Sequence, residues 1–389
     1  MRARSLRILR LHLTNFLSYR SAILDFGDFV ALVGPNSSGK SNAVAAIKLL
    51  REIPFHGLPT AISRRGGFNQ LRHRSSGKSF NPSLRLDFQF EQCGESFYEL
   101  NLQAAGGSRY EVYEHAEINS RLGSFRFANR AGVLEWDELR GADGEQQRLS
   151  SDMLREGFIN FPAGQSVVSI GITYGSYLVS EVLQSMQTVE INPVKVGELQ
   201  EPSSVRDFEP DGSNTASIYD NLAPKARRQL IDELSAIVPD IVRIQVRRIA
   251  DKVTLTFFQE APGKNNRGFL AKQMSDGTLR AFSILLSMLQ PSQPALVVIE
   301  EPEIAIHLGA LRTLIDILRQ RSERSQILIT THSADIIDTI DPHSLRVVWT
   351  AERSSHISQV ADHTIKTVKQ GLITSGELLR SDALDPAGV

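Results

Sequence analysis

The sequence predicts an α/β protein built on a mostly parallel sheet, with an antiparallel β lobe and an inserted middle lobe. Three observations carry this. The short apolar runs FVALVG (29–34), ALVVIE (295–300) and QILITT (326–331) read as strands buried on both faces. In the last third of the chain such runs alternate with helical stretches, the pattern of parallel strands joined by helices. Between 83 and 136, apolar and polar residues alternate and turn clusters break the stretch, as in an antiparallel meander.

In order along the chain, LRILRLHL and AILDF are short β-rich segments that lead into FVALVG. A glycine-containing loop follows at 34–40. SNAVAAIKLLREI then sets Val44, Ile47 and Leu50 on one helical face. Residues 60–82, rich in Gly, Ser and Arg, read as loop. SLRLDFQF, SFYELNLQA, RYEVYEHAEI and SFRFANRAGVLEW make the meander. Residues 150–190 are mixed and helical over 176–186, and 192–214 read as loop or linker. A helical hairpin is expected over 216–237, then strands IVRIQV and VTLTFFQ. Helices over 277–289 and 304–320, a short helix from 333 and strand LRVVWT complete the alternation. This divides the chain into 1–82, an inserted lobe at 83–214, and 215–389.

Forty-three Lys and Arg stand against 44 Asp and Glu in 389 residues, and 41% of the chain is hydrophobic. That balance excludes a mainly disordered chain and offers no global attraction for nucleic acid, so any such contact must be a local patch. The single cysteine, Cys93, excludes an intrachain disulfide and a cysteine-built zinc site. No apolar run approaches the ~18 residues of a membrane helix. The basic N-terminus lacks the apolar core of a signal peptide. A cytoplasmic protein without a membrane partner is the expectation.

Gly34-Pro35-Asn36-Ser37-Ser38-Gly39-Lys40-Ser41 matches G-x-x-x-x-G-K-[ST] in full and lies between a buried strand and a helix. Such a loop wraps phosphates with backbone N–H groups, and the helix N-terminus adds partial positive charge. Lys40 supplies a point charge, Ser41 a hydroxyl ligand for Mg²⁺, and Asn42 is expected to bind ATP together with residues 34–41. ALVVIE ends in Glu300 and Glu301, a costly carboxylate pair at a strand tip unless a cation or ligand uses it. Glu300 would hold Mg²⁺ through water, and Glu301 would polarise a water attacking the γ-phosphate. Thr330-Thr331-His332-Ser333 ends a further strand, and His332 is placed to sense that phosphate. In MSDGTLR (274–280), Ser275 is a natural N-cap and Asp276 suits a first helical turn.

The order GPNSSGKS, MSDGTLR, LVVIEE, TTHS resembles an ABC-type ATPase head. More narrowly it resembles the SMC-, RecF- and OLD-related group of AAA ATPases without a Toprim domain. LRLHLTNFLSY, IEEPEIAIH (299–307) and ILITTHSADIID (327–338) strengthen the likeness, which covers about 1–80 and 215–389. The resemblance implies a P-loop NTPase fold, ATP and Mg²⁺ as cofactors, and ATP hydrolysis with Glu301 and His332 at the γ-phosphate. It implies a homodimer of heads closed on two ATP molecules, with Ser275, Asp276 and Gly277 as the signature that reaches ATP held by the partner. Asp276 stands where transporter subunits carry Gly, Glu300 replaces the usual Asp, and Leu308 replaces the usual Pro. Gln70 in GGFNQLRHR is the candidate for the family's metal-contacting glutamine. After His332 little chain remains for a nuclease domain, and no heptad coil is present, so a separate effector or nuclease partner is expected. The implied role is to switch a nucleic-acid process such as DNA repair or anti-phage defence. The competing class is an ABC-transporter ATPase subunit. The basic run Arg64, Arg65, Arg72, Arg74 and Lys78 is either a solvated face or a contact for DNA phosphates, and so are Arg243, Arg247 and Arg248.

Overall fold

The computed structural model describes residues 6–75, 78–140, 147–150, 159–205, 207–260, 266–381 and 383–387. Strands β1 (Leu6–Phe16) and β2 (Tyr19–Asp25) form a hairpin, and β3 (Phe29–Val33) runs into α1 (Lys40–His56). Helices α2 (Leu58–Ser63) and α3 (Phe68–Leu71), with the two-residue strands β4 (Arg74–Ser75) and β5 (Lys78–Ser79), occupy the stretch expected as loop. The meander is β6 (Ser83–Phe90), β7 (Glu95–Ala104), β8 (Tyr110–Ser120), β9 (Gly123–Arg130) and β10 (Val133–Arg140), extended by β11 (Gln147–Ser150) and β12 (Ile159–Asn160). Next come α4 (Val167–Ile170), α5 (Tyr174–Gln184), β13 (Met186–Val189), α6 (Pro193–Gly197), α7 (Thr215–Asp220) and α8 (Pro224–Ile237). The chain continues through β14 (Ile241–Ile249), β15 (Lys252–Gln259), β16 (Arg267–Leu270), α9 (Asp276–Ser287), β17 (Leu296–Glu300), α10 (Leu308–Arg321) and β18 (Gln326–Thr331). It closes with α11 (Ala334–Ile337), β19 (Leu345–Ala351), β20 (Ser354–Gln359), α12 (Asp362–Lys369) and α13 (Ser375–Arg380).

The central sheet has the order β13-β17-β18-β3-β19-β20. All neighbours are parallel except the edge pair β19 and β20. Every residue of β3, β13 and β18 is buried, because both faces of the sheet are covered. Val30 and Leu32 point into one apolar cluster, with α1, α5 and the antiparallel sheet. Phe29, Ala31 and Val33 point into the other, with α8, α9 and α10. The period-two side-chain alternation of one strand thus joins two cores.

The sheets cross the boundaries drawn from sequence. Strand β6 pairs with β1, so the meander continues the N-terminal hairpin in one antiparallel sheet, β11-β10-β9-β8-β7-β6-β1-β2. Strand β13 pairs with β17, which sets residues from the supposed insert in the central sheet. Element boundaries also move: the helix expected over 176–186 ends at Gln184 and Met186 opens β13, while α6 lies in the stretch expected as loop over 192–214. SFRFANRAGVLEW is two strands, because Ala131 (φ 51°) and Gly132 (φ 95°) make a two-residue hairpin turn between Arg130 and Val133. Helix α10 begins at Leu308 and not 304, because Glu301 (φ 45°) and Ala305 (φ 62°) are left-handed, a conformation a right-handed helix excludes. Among the described residues, no helix is long and apolar enough to cross a membrane.

Candidate nucleotide site

The phosphate loop, the carboxylate pair and His332 leave neighbouring strands at one edge of the central sheet. Val33 pairs with Thr331, and Thr330 pairs with Glu300, so the loops after β3, β18 and β17 emerge side by side. Ligands of parallel sheets bind outside these carboxyl ends.

Two glycines of the phosphate loop are required by neighbours as well as by turn geometry. A Cβ on Gly34 (φ 149°) would lie 2.1 Å from the Val348 carbonyl oxygen, and one on Gly39 (φ 117°) would lie 2.4 Å from Ser355 Oγ. Pro35, Asn36 and Ser37 are exposed, while Ser38 is buried and its Oγ has no partner among the described residues. Lys40 Nζ donates to the carbonyls of Gly34 at 2.7 Å and Pro35 at 3.0 Å, so the loop curls around its own ammonium. Burial lowers the Lys40 pKa, against the opposing pull of Glu301 and Glu303. Behind the loop, Tyr19 donates its hydroxyl to the Gly39 carbonyl at 2.9 Å, and burial pushes the Tyr19 pKa up. Asn42 donates to Ser18 Oγ at 2.8 Å, and Ser355 Oγ donates to the same atom at 2.8 Å. Asn42 therefore anchors α1 to the turn between β1 and β2.

Ser41 opens onto a cavity of about 610 Å³ lined also by Glu190, Arg280, Glu300 and Glu301. Glu300 Oε1 accepts from Lys48 Nζ at 2.6 Å, and Glu190 accepts from the same ammonium at 2.6 Å. The Glu301 backbone N–H donates to the Thr330 carbonyl at 3.0 Å, and its carboxylate lies 3.8 Å from His332 Nδ1. Glu303 lies 3.6 Å from the same nitrogen. Its Oε1 accepts from Thr331 Oγ1 at 2.7 Å and from the His332 backbone N–H at 3.3 Å.

At the start of α9, Ser275 Oγ accepts from the Thr278 backbone N–H at 3.3 Å, a side-chain cap of the first turn. Asp276 is exposed. A Cβ on Gly277 would lie 2.1 Å from the Ala305 carbonyl oxygen, so this helix start is pressed onto the loop after Glu301. Gln70 does not meet its expected place. It is exposed on α3 and does not line the cavity, because α3 docks on the β1–β2 turn through Leu17 N–H to Leu71 C=O at 2.8 Å.

The sequence matches the family described as "AAA domain, putative AbiEii toxin, Type IV TA system" over residues 29–140 and 181–338. The chain belongs to this family of AAA ATPases. Stretches of it are similar to structural maintenance of chromosomes protein 1. In the Arabidopsis thaliana protein the match is 31% identical over 132 residues, 30% of this chain and 10% of that one. In the Schizosaccharomyces pombe protein it is 29% identical over 117 residues, 28% of this chain and 10% of that one. The chain thus spans about a tenth of the length of these relatives. The fold is similar to that of an SmcHead bound to the C-winged helix domain of ScpA, with TM-score 0.56, 15% identity and coverage of 92% of this chain and 99% of that one. A Pyrococcus furiosus Smc head with an extended coiled coil, bound to the C-terminal domain of ScpA, gives TM-score 0.54, 12% identity and coverage of 94% and 99%. The chain has the fold of an SMC head, as the order of its motifs implied.

Several side chains at this site, Glu190 among them, escaped the reading of the sequence. Glu303 stood inside IEEPEIAIH, where a third acid beside the pair was the available signal. Arg280 ends MSDGTLR; its Nη2 donates to the Ile191 carbonyl at 3.2 Å, and its Nε is buried without a partner among the described residues. Burial lowers the Arg280 pKa, opposed by Glu301, Glu303, Asp276 and Glu190. Lys48 carried no signal, since its partners Glu190 and Glu300 come from distant segments. Of the basic run, Arg65 forks onto Glu52 at 2.9 and 3.0 Å and Arg72 donates to the Ser79 carbonyl at 2.7 Å. The Lys78 side chain lies outside the described residues.

A serine hydroxyl beside carboxylate oxygens is the donor set of a hard cation such as Mg²⁺. Among the described residues, no group of three His, Cys, Asp or Glu side chains could hold a metal ion by itself.

Proposed function

We propose that this head binds Mg²⁺–ATP, hydrolyses it, and closes on a second copy of itself while the triphosphate is intact. The observation that supports this best is the shared edge: the loop ending in Lys40 and Ser41, the Glu300–Glu301 tip and His332 leave adjacent parallel strands. Lys40 exchanges the carbonyls of Gly34 and Pro35 for phosphate oxygens, and the N–H groups of 36–41 take the rest of the charge. Ser41 directly and Glu300 through water would hold Mg²⁺, which would supply charge neutralisation at the phosphates. Glu301 orients and polarises the attacking water, and His332, between Glu301 and Glu303, responds to the γ-phosphate. Ser275, Asp276 and Gly277 reach the phosphate held by the second copy. Closure and reopening then switch a separate partner that acts on nucleic acid, in DNA repair or anti-phage defence. The family description, with its AbiEii toxin, supports the defence setting.

The test is ATP turnover across a range of protein concentrations, with and without DNA. A rate per chain that rises with concentration supports pairing, and stimulation by DNA supports the nucleic-acid role. A rate per chain independent of concentration, with no response to DNA, overturns both.

A further inference from the structure

Ser41 and Lys48 are seven residues apart on α1, which places them on one helix face two turns apart. Helical side chains lean toward the N-terminus, so the long Lys48 stem carries its ammonium toward the Ser41 end. There Nζ meets Glu300 and Glu190, both at 2.6 Å, and both acids line the cavity that Ser41 opens onto. The side chains of Lys48 and Glu300 are only 22% and 19% exposed. The Lys48 ammonium is thus seated between two carboxylates, one of them the acid assigned to the metal.

A carboxylate that accepts a charged N–H bond is a weaker metal ligand, because an incoming cation must displace or share that bond. We propose that Lys48 is an internal counter-cation that keeps a free divalent ion off Glu300 until one arrives on a triphosphate. The phosphate oxygens then supply further ligands. Glu190 retains the ammonium when Glu300 turns to the metal, so no buried charge is left alone, which would be costly. Lys48 thus positions Glu300 and sets the order of loading. This rests on the reading of Glu300 as a metal ligand.

Binding of Mn²⁺ to the full chain, followed by the paramagnetic resonance of the free ion, tests it without reference to turnover. Without nucleotide, Lys48→Met binds Mn²⁺ about tenfold or more tightly than the wild type, and Lys48→Arg, which keeps the charge, stays weak. With a non-hydrolysable ATP analogue the difference between Lys48→Met and wild type shrinks. Equal nucleotide-free affinity of wild type and Lys48→Met, both folded by circular dichroism, overturns the proposal, and so does tight binding by Lys48→Arg. If the methionine variant does not fold, Lys48→Gln replaces it under the same criteria. Glu300→Gln separates the two readings. If it leaves Mn²⁺ binding with the analogue unchanged, the metal assignment of Glu300 fails. If it weakens that binding while Lys48→Met changes nothing without nucleotide, only the counter-cation role fails.

Discussion

Glu303 shows how much of this site is held by one side chain that touches no expected ligand. Its Oε1 takes the Thr331 hydroxyl and the His332 backbone N–H, and its Oε2 is buried without a partner among the described residues. Its side chain is 11% exposed, against 37% for Glu301 and 48% for His332. Glu303 is thus the rigid member of the group, and it sets where the histidine stands. Glu303→Ala should lower the turnover of the proposed reaction by up to about 100-fold while nucleotide affinity changes little, since misplacing a reacting group by about 1 Å costs that much. Steady-state kinetics beside calorimetric titration of nucleotide separates the two effects, and an equal loss in both would place Glu303 in binding instead. Asp87 makes a different kind of claim, on stability. Burial raises its pKa, but hydrogen bonds from Arg85, His12 and Arg10 outweigh that, and the net shift is down. The folded-state value lies below the unfolded one. The contribution is therefore complete above the ordinary carboxylate range, about pH 4, and is lost as pH falls through the folded value. Asp87→Asn should cost about 2 kcal/mol at pH 7 in urea unfolding, with the gap to wild type closing in acid. A gap that stays constant down to acid pH would refute the linkage.

At the scale of elements, the site is a set of loops held by close backbone approach. Gly277 has space for no side chain against the Ala305 carbonyl, so α9 and the Glu301–His307 loop sit at a fixed distance. Gly277→Ala should push the two apart and cost about 2 kcal/mol, as overpacking does, and it should slow turnover more than the stability loss alone would. Thermal unfolding and turnover below the transition check this, and a variant as stable as wild type would show that the contact yields. The sequence made the strands of this region readable and their neighbours unreadable. FVALVG, ALVVIE and QILITT are apolar throughout because both faces of their sheet are covered, and that signal is local. MQTV, the heart of β13, is a four-residue strand directly after α5, with no Gly or Pro between them to mark the change. Its place beside β17 is set by pairing across more than a hundred residues. The phosphate loop was legible for the same reason as the buried strands, since its glycines and Lys40 lie in one short string. Lys48, Glu190 and Glu300 meet only after three distant segments fold together, and no local pattern in the chain announces that.

At the scale of the whole molecule, the proposed reaction needs two copies, and each site would then be composite. Glu301→Gln should keep ATP binding, reduce turnover by about 100-fold or more, and hold the closed pair long enough to accumulate. Light scattering should show its mass rising on ATP addition, and no change in size would tell against closure. A stronger test uses the geometry of pairing itself. Lys40→Ala removes the ammonium that otherwise curls the phosphate loop, so that chain loses its own nucleotide contact. Ser275→Arg removes the cap of α9 and adds a bulky cation where the second copy's phosphate would come. Alone, each variant forms pairs in which both sites carry a lesion. Mixed, the hetero-pair gathers both lesions at one site and leaves the other with an intact Lys40 and an intact Ser275. Turnover should therefore return on mixing, in proportion to the hetero-pairs formed, although neither parent contributes any. If Ser275 acts only within its own chain, every site in the mixture still contains a defect, and the mixture stays as inactive as its parents.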